Sequence, residues 1–134
     1  MRANVTQLSL IALLASASAG QANPEISNPS CVATEVKLAY NCQFDLLEDS
    51  HPVTDAEIAV GASMPSMPMA HNVKPVTSFE STEMPGQYLY DLELAMAGEW
   101  LVIFDISQPM RDRLQKKFMF NADGSVEQFD RGDE

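Results

Sequence analysis

Apolar and polar residues alternate along most of this chain with a period of two. From Glu35 to Cys42, Val36, Leu38, Tyr40 and Cys42 share one parity, while Glu35, Lys37 and Asn41 share the other. Successive strand side chains point to opposite faces, so this pattern predicts a half-buried strand with Cys42 inward. The pattern returns over 55–62, after a polar loop from Asp45 to Thr54, with Ile58 and Val60 on the core parity. It returns again after the Pro85-Gly86 turn signal, where Tyr88, Tyr90, Leu92 and Leu94 oppose Gln87, Asp91 and Glu93. Trp100-Leu101-Val102-Ile103-Phe104 is apolar at both parities, as in a central strand covered on both sides, with Trp100 as a core anchor. Arg113 to Phe120 and Ser125 to Phe129 read as a pair joined by Asn121-Ala122-Asp123-Gly124. Pro75 to Ser81 is β-prone but weakly patterned, which suits an edge strand. No window repeats at helical spacing. The expectation is an all-β protein, an immunoglobulin-like β-sandwich of about seven strands.

The first 22 residues break this pattern. Arg2 precedes the apolar run from Leu8 to Leu14, and small residues follow through Ala22, the signature of a secretory signal peptide. Cleavage fits after Ala19 or after Ala22, the second being preferred. The apolar run is well short of the roughly 20 residues that cross a bilayer, so a retained anchor is disfavoured. Residues 23–34, with Pro24 and Pro29 among polar neighbours, read as an extended lead-in, with ordered structure from about Cys31. The single sandwich domain is expected over 35–130. The predicted location is periplasmic or otherwise secreted.

Removing the signal leaves seven basic residues against 19 acidic ones, a net charge of −12. Nucleic acid and anionic lipid surfaces repel such a chain, whereas metal cations and basic protein surfaces attract it. Most of the acids, including those of the tail from Asp130 to Glu134, are adequately explained by solubility, and Arg131-Gly132-Asp133 is read as chance. In an oxidising compartment Cys31 and Cys42 are disulfide candidates, and a thiolate metal site is the lesser alternative. Their spacing is too wide for a Cys-x-x-Cys redox motif.

One segment carries distinctive chemistry. Met64-Pro65-Ser66-Met67-Pro68-Met69-Ala70-His71 places three thioethers and one imidazole within eight residues, and its prolines hold the chain extended. Thioether sulfur is soft and neutral and selects Cu(I), while imidazole accepts Cu(I), Cu(II) and Zn(II). If strands simply alternate up and down, Met96 joins this loop at one end of the sandwich, and His51, Met84 and Met110 gather at the other. The candidate copper ligands are therefore Met64, Met67, Met69, His71 and Met96, with Met84 as a replacement if the loop folds back. The competing reading is that these methionines fill a core gap or form an apolar interaction surface. His51 suits a solvated loop, and Met119, between Phe118 and Phe120, suits packing. No nucleophile elbow, Walker loop or His-Glu-x-x-His motif occurs, so a non-enzymatic protein is expected.

The strand Asp55-Ala56-Glu57-Ile58-Ala59-Val60, the Met64-Pro65-x-Met67 segment running to His71, the Pro85-Gly86-x-Tyr88 turn and Met96-x-Gly98-x-Trp100 together resemble the FixH/YtkA-like group of small exported β-sandwich domains. The resemblance covers about Pro52 to Phe104. It implies an immunoglobulin-like fold and an association with copper handling or the assembly of copper-containing respiratory oxidases. FixH-type members usually keep an N-terminal membrane helix, and this chain carries what reads as a cleavable signal. A periplasmic copper(I) carrier or sequestering protein is the function the resemblance implies here. A protein-interaction module, assisting assembly of a respiratory or membrane complex through a periplasmic or membrane protein partner, is the alternative.

Overall fold

A computed structural model describes residues 23–67 and 73–129. Among these, ten strands follow one another: β1 (Pro24–Ala33), β2 (Ala39–Glu48), β3 (His51–Pro52), β4 (Glu57–Ser63), β5 (Val73–Thr77), β6 (Phe79–Glu80), β7 (Gln87–Glu93), β8 (Gly98–Gln108), β9 (Asp112–Phe120) and β10 (Val126–Gln128). They form two five-stranded antiparallel sheets. The first runs β1-β2-β7-β6 with β3 on the far reach of β2, and the second runs β10-β9-β8-β4-β5. The chain is an all-β sandwich.

The strand count exceeds the expected seven for physical reasons. β3 and β6 are two residues each, too short to show a period. The 23–34 segment is not only a lead-in but the edge strand β1, so the first sheet starts before residue 35. Its prolines are tolerated because an edge strand has one face free of ladder hydrogen bonds and because the register slips between Ser27 and Ser30, where Asn28 takes φ 48°. The strand expected at Glu35 starts instead at Ala39. A turn precedes it, closed by Thr34 N–H on Ala39 O at 3.0 Å and by the Thr34 hydroxyl, with Leu38 at φ 65°. The loop expected from Asp45 is still β2 until Glu48. The weakly patterned 75–81 segment is an edge twice over. β5 borders the second sheet and β6 the first, and the chain changes sheets at the buried Ser78, whose N–H and hydroxyl both donate to Ile58 O.

The core lies between the sheets. Tyr40, Cys42, Phe44 and Leu46 of β2 and Tyr88, Tyr90 and Leu92 of β7 face Ile58, Val60 and Ala62 of β4 and Trp100, Val102, Phe104 and Ile106 of β8. The two layers interlock through aromatic rings: Phe44 meets Phe104 edge-on with centroids 4.8 Å apart, and Tyr40 meets Phe120 at 4.8 Å. Each fully buried large side chain stabilises the fold by about 1.5–3 kcal/mol, and each aromatic pair adds about 0.5–1.5 kcal/mol. β8 is central, as its two-sided apolar pattern predicts. Its outer-parity residues Leu101 and Ile103 are half-buried rather than covered by another layer.

Candidate metal centre

β4 runs antiparallel to β8 with Ser63 opposite Leu101, which brings the end of β4 to the beginning of β8. The 64–67 turn and the β7–β8 loop therefore share one end of the sandwich. Met64 continues the inward parity of Ile58, Val60 and Ala62 and is 4% exposed. Its methyl carbon fills the space above Gly98, where a Cβ would stand 2.9 Å away; Gly98 has φ 140°. Pro65 then occupies the second position of a turn closed by Met67 N–H donating to Met64 O at 3.0 Å. The reversal carries Met67 outward, to 39% exposure. Met69 and His71 lie outside the described residues.

Met96 is half-buried against the core, and its carbonyl accepts the Trp100 indole N–H at 3.0 Å, which ties the β7–β8 loop to the largest of the fully buried side chains. Its side chain also borders a cleft of 480 Å³ between the β1–β2 turn and the β9–β10 hairpin, walled by Leu38, Tyr40 and Asn121. The structure thus brings Met64, Met67 and Met96 to one end, with different exposures. As placed, Met64 packs, Met67 faces solvent and Met96 is intermediate.

Met84, the replacement ligand considered from sequence, is 55% exposed in the β6–β7 turn at the other end, two residues before Gly86, which packs against Pro52. The His51 ring nitrogen lies 2.8 Å from Asp49 O on the surface. Cys31 and Cys42 are register partners on β1 and β2 and are joined as a disulfide, 11 residues apart in sequence. This bond takes both sulfurs out of contention as thiolate ligands and staples the edge strand to the sheet. The Tyr90 hydroxyl lies 3.9 Å from Cys31 Sγ, and burial holds its phenol far above the usual tyrosine range. Among the described residues, no group of three or more His, Cys, Asp or Glu side chains is arranged to hold a metal ion.

A family model described as YtkA-like matches residues 27–105, more than half of the 134-residue chain. The chain belongs to the YtkA-like family. The matched span opens within β1 and closes within β8, so the methionine segment and its Gly98 packing partner both lie inside the YtkA-like region. No curated protein and no solved structure matches the chain. The role of Gly98 in this YtkA-like domain escaped the sequence reading. Its signal was the motif Met96-x-Gly98-x-Trp100, where a small residue between two anchors marks the close approach of another side chain.

Proposed function

We propose that this YtkA-like domain is an exported, non-enzymatic protein that binds Cu(I) through the thioethers of the Met64–His71 loop together with His71. The observation that carries the reading is the concentration of three methionines and one histidine in eight residues, in a segment whose Met67 stands exposed at the end of the sandwich that Met96 shares. The donor set suits the ion. Thioethers are soft and uncharged, need no deprotonation, and exchange readily, which favours a carrier or a sequestering protein that hands copper on. Unlike thiolates they are not consumed by disulfide formation in an oxidising compartment. Among the described residues at this end, Met67 is the thioether most open to an incoming ion. The imidazole of His71 would supply a nitrogen donor beside Met67, Met69 and Met96, with Met64 committed to packing.

The test is an anaerobic Cu(I) titration of the mature protein against a chromophoric competitor, beside the Met67→Leu/Met69→Leu variant, with circular dichroism to verify that both are folded. Stoichiometric binding by the parent protein that is lost in the variant supports the reading. Failure of the folded parent protein to compete removes it.

A second reading is favoured by the burial of Met64: methionine in this segment can serve as packing and adaptable apolar contact. On that view the loop and the adjoining edge strand β5 dock a protein partner of a respiratory or membrane assembly. The double leucine variant would then keep its function.

A further inference from the structure

Met64 and Met67 close the same turn, yet their sulfurs live in opposite surroundings. Met64 is 4% exposed and its methyl carbon is pressed toward Gly98, whereas Met67 is 39% exposed. Attack by a dissolved oxidant requires access to a sulfur lone pair, so the fold sorts the two thioethers by reactivity. Met84, 55% exposed, has comparable access but sits in the β6–β7 turn at the opposite end. Among the described residues, exposure therefore selects two sulfurs, and one of them, Met67, lies at the candidate copper end.

We propose that Met67 is a reversible oxidation site, and that conversion of its thioether to the sulfoxide switches off copper(I) retention by this loop. The inference rests on the copper reading above. The chemistry balances with a peroxide as oxidant. A sulfur lone pair takes one peroxide oxygen, the O–O bond breaks, and the second oxygen leaves as water; sulfur is oxidised by two electrons and the peroxide is reduced. The product presents a hard oxygen where the soft sulfur stood, and hard oxygen donors do not suit Cu(I). A methionine sulfoxide reductase restores the thioether, releasing the oxygen as water while a dithiol supplies two electrons and becomes a disulfide. The buried Met64 is spared, so the turn keeps its packing while the exposed donor is lost. The switch acts on the ligand set and leaves the fold intact.

The experiment treats the mature Met84→Leu protein with hydrogen peroxide over a time course, which removes the remote exposed sulfur. Tandem mass spectrometry locates each added oxygen, and aliquots are tested anaerobically for Cu(I) competition. The expected result is that Met67 gains one oxygen well before Met64, that competition decays in step with Met67 sulfoxide, and that a methionine sulfoxide reductase with dithiothreitol restores it. Oxidation of Met64 as early as Met67 overturns the proposal, and so does full oxidation of Met67 with competition unchanged. If the untreated protein fails to compete, the copper reading itself has failed, and the untreated arm separates that result from a failure of the switch.

Discussion

The two ends of the sandwich are built on different principles. At the β3/β6 end, polar groups close the structure. Glu80 accepts the N–H groups of Asp55 and Gly86, each at 2.8 Å, and the Tyr88 hydroxyl donates to Val53 O at 2.8 Å while accepting Ala56 N–H at 2.9 Å. Leu46 N–H donates to Gly86 O, and Val53 N–H to Leu46 O, both at 2.9 Å. Loop backbone that turns inward must find partners, and here one carboxylate and one phenol supply them. At the other end the β1–β2 turn and the β9–β10 hairpin also close on hydrogen bonds, but the described contacts of Met64, Met67 and Met96 themselves are few: a turn bond between Met67 and Met64, an indole bond to Met96, and a methyl group against Gly98. The first end is locked by directional bonds that tolerate little change. The methionine corner of the second is filled by adaptable, weakly directional thioethers, which tolerate more change.

The sharpest way to break the locked end is Gly86→Ala. Gly86 has φ 87°, and a Cβ there would stand 2.5 Å from Pro52 Cβ and 3.2 Å from its Cα, so neither backbone nor neighbour has room to give. Left-handed strain and overpacking together should cost about 3 kcal/mol. Chemical denaturation measures this, and an unchanged midpoint would show that the β3 contact is not structural.

Tyr88→Phe should come next, at about 2 kcal/mol, because it leaves the Val53 carbonyl and the Ala56 N–H without their partner. The same residue gives this end an alkaline limit. Burial raises the Tyr88 phenol above its ordinary value, and the Glu80 and Asp55 carboxylates push in the same direction against the bond from Ala56. A raised folded pKa means the fold favours the neutral phenol. Its stabilising effect is complete below the ordinary tyrosine value of about 10 and is lost as pH climbs through the folded value. Burial raises Tyr40 and Tyr90 likewise, so they add to the trend. Urea unfolding between about pH 8 and pH 11 should show falling stability, with a shallower fall in Tyr88→Phe. A flat profile would contradict the assignment.

These two ends differed in how readable they were from sequence. The inward parities of β2, β4 and β7 were legible because each strand has one face in the core, and a period of two survives wherever burial is one-sided; β8, apolar at both parities, was read as covered on both sides, although Leu101 and Ile103 are only half-buried. β1 was hidden because an edge strand accepts prolines and a bulge that a central strand rejects. The Glu80 network left no trace, since one glutamate among many acids has no pattern until the fold places it beside Asp55 and Gly86. At the other end, the methionine segment stood out by composition, which made its sulfurs look equivalent. The distinction was nonetheless present: Met64 continues the parity of Ile58, Val60 and Ala62, so strand alternation already points it inward. What periodicity could not supply was the turn after Pro65 that carries Met67 outward, because turns are set by local hydrogen bonds rather than by an apolar period.

The smallest effect on stability, and the most informative about that turn, comes from exchanging its two sulfurs singly. Met64→Leu keeps core volume but removes the flexible thioether that fits over Gly98, and should cost less than about 1.5 kcal/mol. Met67→Leu alters an exposed side chain and should stay within about 0.5 kcal/mol of the parent protein. Copper competition should rank them the other way round. Met67→Leu loses an accessible donor and should weaken Cu(I) retention, while Met64→Leu loses a sulfur already committed to packing and should leave it nearly unchanged. Thermal melts and Cu(I) competition on the same two samples decide the matter. If Met64→Leu instead abolishes binding while Met67→Leu does not, the ion is held from within the turn, and exposure at this end is a poor guide to ligation.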